Sequence, residues 1–195
     1  MKFIGKPLLK FIGDFTVIDL ETTGRSNKHY DITEISAIKY RKGVEVDSKS
    51  SLIKADNSII PFVVNLTGIT NEMIENAPRI GDVIESFVDF IGNDVILGHN
   101  VEFDYSLIFD AYLDKTGKLM NNDYIDTLRI SRLMNKDVNN HKLETLCQHF
   151  EVTRDSGHRG LVDSKQTAEV YLKMYQKYRM LEKRKREQEA FYERI

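Results

Sequence analysis

The sequence predicts one α/β unit: a mixed sheet, antiparallel at first and parallel later, flanked by helices. Three observations predict it. Three stretches rich in β-branched residues follow one another early in the chain with short links. From Ile80 onward, helical patterns alternate with short apolar runs of strand length. No Pro/Gly/Ser-rich linker divides the chain, and 195 residues suffice for one sizeable core.

The elements follow in order. Phe15–Leu20 is the first strand. Ile32–Arg41 and Val44–Ile53 are the next two, joined by a tight turn at Lys42-Gly43. The chain is expected to turn around Pro61. A short helix follows over Thr70–Ile74, with Thr70 as its N-cap. Ile80–Ile91 has helical spacing, with Ile80, Val83, Ile84, Phe87, Val88 and Ile91 on one face. Val95–Leu97 reads as a short strand. Phe103–Leu113 reads as a helix with a stripe of Phe103, Leu107, Ile108 and Ala111. Tyr124–Ile125 is a brief strand before a helix from Thr127, and His141–Phe150 is another helix. From Leu161 the periodicity is helical through Leu181, after which EKRKREQE has no apolar residue to bury. The expected divisions are an N-terminal extension at 1–14, the main domain at 15–180, and a charged helical extension at 181–195.

Composition narrows the function classes. Hydrophobic residues make up 41% and charged residues 30%, as in globular proteins. No apolar run is long enough to span a membrane, and the N-terminal stretch does not read as a signal peptide. The single cysteine, Cys147, fits a reducing cytoplasm and excludes a Cys-rich zinc site. The formal net charge of −2 gives no bulk attraction to nucleic acid, so any such contact needs local patches or bound cations.

Three motifs carry chemistry. Asp19 and Glu21 lie two apart at the end of the first strand, so both point to one face. His99-Asn100-Val101-Glu102-Phe103-Asp104 stands where a short strand gives way to a helix. His158-Arg159-Gly160-Leu161-Val162-Asp163 enters the last helix. Taken singly, each is ordinary: a solvated acid pair, or a carboxylate at a helix start. Together they offer four carboxylates at element ends, able to meet on one rim of the sheet. Four such groups repel, and two divalent cations would cancel their charge. Oxygen-only ligands suit Mg²⁺ or Mn²⁺. Paired ions of that kind promote in-line displacement at a phosphodiester, and a nearby histidine can accept the proton of the attacking water.

These motifs resemble the DEDDh branch of the DnaQ-like 3′–5′ exonucleases, within the ribonuclease H-like superfamily. VIDLETTG resembles the first exonuclease motif, HNVEFD the second, and HRGLVD the third in its His-x-x-x-x-Asp form. Thr67-Gly68-Ile69-Thr70, Asp126-Thr127-Leu128 and His141-Lys142-Leu143 agree with the same pattern. The resemblance implies a ribonuclease H-like fold and two divalent cations. It implies that Asp19, Glu21 and Asp163 hold one cation, and that Asp19 with Asp104 holds the other. His158 becomes the general base. Thr22, Thr23, Gly24, His99 and Asn100 lie near the terminal nucleotide, while Phe103 packs behind Asp104. Asp126 is expected to cap the next helix, His141 to be structural, and Cys147 to be a core thiol.

Glu-Thr-Thr-Gly is similar to the epsilon-type proofreading members, which implies single-stranded DNA as substrate and a DNA polymerase catalytic subunit as partner. An RNA-directed exonuclease of the same fold is the alternative. A binding module that has lost catalysis is less compatible with the intact motifs. Oligomeric state stays open.

Overall fold

The computed structural model describes residues 5–24, 30–153 and 159–192. Five strands form one sheet in the order β3-β2-β1-β4-β5. β1 (Phe15–Thr22), β2 (Ile32–Arg41) and β3 (Val44–Leu52) pair antiparallel, and β4 (Ile96–Gly98) and β5 (Tyr124–Asp126) add on parallel. The meander followed by parallel strands is the expected arrangement. β1 is central and outlasts its expected end at Leu20 by two residues, because Glu21 and Thr22 still pair with Glu34 and Ile32.

Alternation along β1 sorts its side chains to two cores. Ile18 and Leu20 enter a cluster with α3 (Ile80–Ile91) and α4 (Glu102–Thr116). Phe15 and Val17 enter the opposite cluster with α5 (Thr127–Met134), α6 (Leu143–His149) and α7 (Gly160–Tyr192). Asp19 and Glu21 continue the Phe15–Val17 side, so they face the layer that contains α7.

Three expectations need correction. The expected turn at Pro61 is a helix, α1 (Pro61–Thr67), with proline in its first turn and Gly68 in the left-handed conformation as its C-cap. Proline preorganises a helix start and glycine suits its end, which outweighs the weak helix propensity of Val63 and Val64. The short helix α2 (Asn71–Ile74) follows, and the Thr70 hydroxyl accepts from Met73 N at 3.3 Å. The second correction concerns α4, whose buried face is Asp104, Tyr105, Ile108, Phe109 and Tyr112. Its apolar side includes tyrosines, one of which caps its own burial: Tyr105 Oη donates to Asn122 O at 3.0 Å. Leu107 and Ala111 sit at the margin, and Phe103 is 38% exposed rather than packed behind Asp104. Third, α6 starts at Leu143, and His141 lies before it with Nδ1 2.9 Å from Ser131 Oγ.

α7 is continuous over 33 residues. Its first half packs on the sheet through Ala168, Val170, Tyr171 and Met174, and its second half projects. Residues ahead of β1 lie along β5: Leu8 N donates to Tyr124 O at 2.7 Å, and Tyr124 N donates to Lys6 O at 3.0 Å. Among the described residues, no helix is long and apolar enough to cross a membrane.

Candidate active site

The C-terminal ends of β1 and β4 and the N-terminal turns of α4 and α7 meet at one rim of the sheet. Asp19 and Glu21 arrive from β1, where each pairs with β2, just past the Thr16–Val17 stretch that also pairs with β4. Asp163 arrives from the first turn of α7. One carboxylate oxygen from each of Asp19, Glu21 and Asp163 lies within 4.8 Å of the other two. Asp104, 8% exposed, comes from the first turn of α4 and lines the same cleft of about 450 Å³.

Electrostatics tie the four together. Burial pushes Asp19 well above the usual carboxylate range, and Asp104, Glu21 and Asp163 push it further. Burial raises Glu21 to about 8, with Asp163, Glu34 and Asp104 adding to the rise and Arg159 opposing it. Asp104 is raised to about 8 by burial and by the nearby Asp126 charge. A cluster of oxygen donors that resist ionising together is chemically matched to hard divalent cations. The donor set therefore fits the cations that the sequence motifs imply.

The remaining expected residues divide by role. Thr23 is fully buried; its hydroxyl donates to Gly24 O at 3.1 Å and accepts from Asp31 N at 3.3 Å. Its side chain thus shapes the turn. Gly24 has φ +81° and packs against Ile60 and Val63 of the α1 region, so a side chain there would be strained. Thr22 ends β1 and is half-buried. Asn100 also adopts a left-handed conformation, φ +61°, and its N–H donates to Asp126 Oδ1 at 2.8 Å. Asp126 accepts from Leu128 N at 3.0 Å as well, so it caps α5 as expected and locks the Asn100 turn. His99 lines the cleft with Nδ1 2.9 Å from Thr127 Oγ1, and burial lowers its pKa to about 4, which keeps the ring neutral. His158 lies outside the described residues. Cys147 is buried in the core, as expected.

Glu34 and the outer wall of the cleft are not among the site residues that the sequence motifs give. Glu34 lies opposite Glu21 on β2, with its side chain 5% exposed. It does not face the other carboxylates bare. Arg159 donates to it through Nε at 3.3 Å and Nη2 at 3.0 Å, and Gly160 N donates at 3.0 Å. Glu34 thereby caps the start of α7, three residues before Asp163. A charged residue inside the apolar run ITEIS was the available signal. Phe103, Lys142, Leu143 and Glu144 line the cleft, and Phe103 meets Tyr30 edge-on at 5.1 Å between ring centroids. Only the fold brings residues 142–144 there.

Comparison with known proteins gives the family and the fold. Residues 16–171 match the exonuclease family of the RNase T type. The PolC-type DNA polymerase III of Caldanaerobacter subterraneus subsp. tengcongensis (strain DSM 15242 / JCM 11007 / NBRC 100824 / MB4) is 39% identical over 165 residues, covering 85% of this chain and 12% of that protein. The chain spans only about an eighth of the length of such curated relatives, 11–12%. Among solved structures, Exonuclease X in complex with 5′-overhanging duplex DNA superposes with a TM-score of 0.66 at 24% identity, covering 84% of this chain and 92% of that one. A 3′-exonuclease that recognises the histone mRNA stem-loop superposes with a TM-score of 0.71 at 18% identity, covering 86% and 84%. Fold and sequence together define a nuclease of the ribonuclease H-like fold. The chain belongs to the exonuclease family, and within it to the 3′–5′ exonucleases.

Proposed function

We propose that this chain removes nucleotides one at a time from the 3′ end of single-stranded DNA, releasing nucleoside 5′-monophosphates, in proofreading or repair. The observation that carries the reading is the convergence of Asp19, Glu21 and Asp163 at one rim, with Asp104 electrostatically joined to them. In this reading the four carboxylates hold two divalent cations, Mg²⁺ or Mn²⁺. When bound, such cations supply positive charge at the scissile phosphodiester and acidify the attacking water. The chain's own residues do the rest. Asp19 and Glu21 present their oxygens from a strand that cannot shift without breaking the sheet. Glu34 and Arg159 hold the start of α7, so that Asp163 keeps its place. His158, directly before Arg159 in sequence, takes the proton from the attacking water. Asn100 and the Thr22–Gly24 turn border the terminal nucleotide, and the neutral His99 forms a polar wall that adds no charge.

DNA is favoured by Thr22-Thr23, which resemble the proofreading members, and by the PolC-type relatives. The same relatives support a DNA polymerase catalytic subunit as partner and a cytoplasmic location. The catalytic unit is assigned to residues 15–180, with 1–14 and 181–195 as extensions. The test is digestion of matched, end-labelled DNA and RNA oligonucleotides with divalent cation omitted and then restored. Cation-dependent release of mononucleotides from the DNA strand, lost in Asp19→Ala, is expected. Equal release by Asp19→Ala overturns the enzymatic reading, and a large preference for RNA overturns the substrate.

A further inference from the structure

The projecting half of α7 is not a bare charged rod. Together with the segment ahead of β1 and the end of α5, it walls a groove of about 910 Å³. Phe11 forms the floor, stacked on Tyr175 at 5.1 Å and tilted against Tyr178 at 5.3 Å. Lys177 Nζ donates to Asn135 Oδ1 at 2.9 Å and ties α7 to the end of α5. Leu9, Leu133 and Met180 stand on the walls 55%, 59% and 63% exposed. Apolar side chains from three separate segments thus converge on water, which marks an interaction surface rather than scattered surface residues.

Charge decides the occupant. Lys10, Arg179 and Arg186 line the groove, and no ion pair is made by any of them among the described residues. Lys183 pairs with Glu187 at 3.8 Å, which leaves Glu182 as the one other acid of the lining. The rim therefore carries excess positive charge around an apolar floor. A second copy of this chain is a poor fit: its projecting helix would bring Lys183, Arg184, Lys185 and Arg186 against those cations. A nucleic-acid strand is also a poor fit. Phe11 and Tyr175 are stacked on each other, so those faces are not open to bases, and the exposed apolar walls are the aliphatic Leu9, Leu133 and Met180.

We propose that this groove docks an amphipathic helix of another protein, with an apolar stripe flanked by acidic residues. Apolar burial in a groove between helices supplies the affinity, and the acidic flanks select the partner. Seventeen positions of α7 separate Asp163 from Met180, roughly 25 Å along the helix. The docked partner would therefore hold the exonuclease while leaving its cleft open. The inference rests on the groove alone and stands whichever nucleic acid the cleft accepts.

The test uses the full chain and a fluorescein-labelled synthetic peptide of roughly 18 residues, about five helical turns. The peptide carries leucine or phenylalanine at i, i+3, i+4 and i+7, with glutamate on both flanks; a second peptide has lysine in place of every glutamate. Fluorescence anisotropy should show the glutamate peptide binding at least about tenfold more tightly than the lysine peptide. Leu133→Asp and Met180→Asp should each weaken it by about tenfold or more, with circular dichroism and nuclease activity unchanged; both positions are exposed, so the fold should tolerate them. Equal binding of the two peptides, no binding of the glutamate peptide, or indifference to both variants would overturn the proposal. So would a dimer that Leu133→Asp dissociates, which would make a second copy the occupant. Displacement of the peptide by an oligothymidine would do the same in favour of nucleic acid.

Discussion

Without divalent cations, the acidic rim should make the fold lose stability as pH rises from about 7 to about 9. Glu21 and Asp104 each have a folded-state pKa of about 8, against ordinary values of 4.5 and 3.8. A carboxyl whose pKa is raised by folding stabilises the native state fully below its unfolded pKa. That contribution disappears as pH climbs through the folded value. For a folded pKa of 8, passing from pH 7 to pH 9 removes about 1.4 kcal/mol per group. Two groups give nearly 3 kcal/mol, and water in the open cleft screens this to roughly 2. For a chain of this size, 2 kcal/mol corresponds to a fall in Tm of about 4–8 °C. The window matters, because His99 acts in the opposite sense. Its folded pKa of about 4, below the ordinary 6.5, makes the fold less stable as pH drops from about 6.5 to 4. Starting at pH 7 keeps that group out of the measurement. The assay is thermal unfolding in chelator, followed by circular dichroism, and repeated with Mn²⁺. Cation at about a hundred times its dissociation constant should add about 2.7 kcal/mol and flatten the pH dependence. Glu21→Gln should remove about half of the decline in chelator. A Tm that stays level or rises between pH 7 and 9 in chelator, or an undiminished decline in Glu21→Gln, would refute the electrostatic account of the rim.

Other outcomes follow from the same structure. Glu34→Gln should lower stability by roughly 1–2 kcal/mol in urea unfolding: buried pairs often cost more to break, but the Arg159 side chain is 44% exposed and can turn to water. An unchanged midpoint would show that the pair does not hold the start of α7. Phe87→Ala, at a fully buried position, should cost about 3–5 kcal/mol, and a loss below about 1 would mean that the core between α3 and the sheet is loosely packed. His158→Ala should reduce turnover by about 10²–10⁴-fold while calorimetric cation affinity stays near the parent value; loss of both would assign His158 to holding cations instead.

Much of the site was legible in the sequence because it rests on local rules. Period-two alternation puts Asp19 and Glu21 on one face of β1, and the change from strand to helix at His99–Asp104 puts Asp104 in a first turn. Asp126 was readable as a cap for the same reason: its partner Leu128 N is two residues away. The α1 helix was missed although Pro61 and Gly68 bracket it, because its β-branched interior argues locally for something else. The exposed face of Phe103 was missed because tyrosines, not leucines, fill the buried side of α4.

By itself the sequence determined which chemistry is available: an all-oxygen set of acids at element ends, a histidine five residues before the last of them, and a helix whose end cannot bury a face. Tertiary structure alone decided how those groups meet. Glu34 reads as one more acid of the same kind, yet its oxygens are held by Arg159 and Gly160, residues 125 and 126 positions away. The groove beside α7 needs Leu9, Leu133 and Met180 to come together from three segments. Side-chain periodicity is a short-range property of the backbone and can be read along the chain. Which carboxylate an arginine holds, and which apolar residues share a wall, depends on long-range packing that no window of the sequence contains.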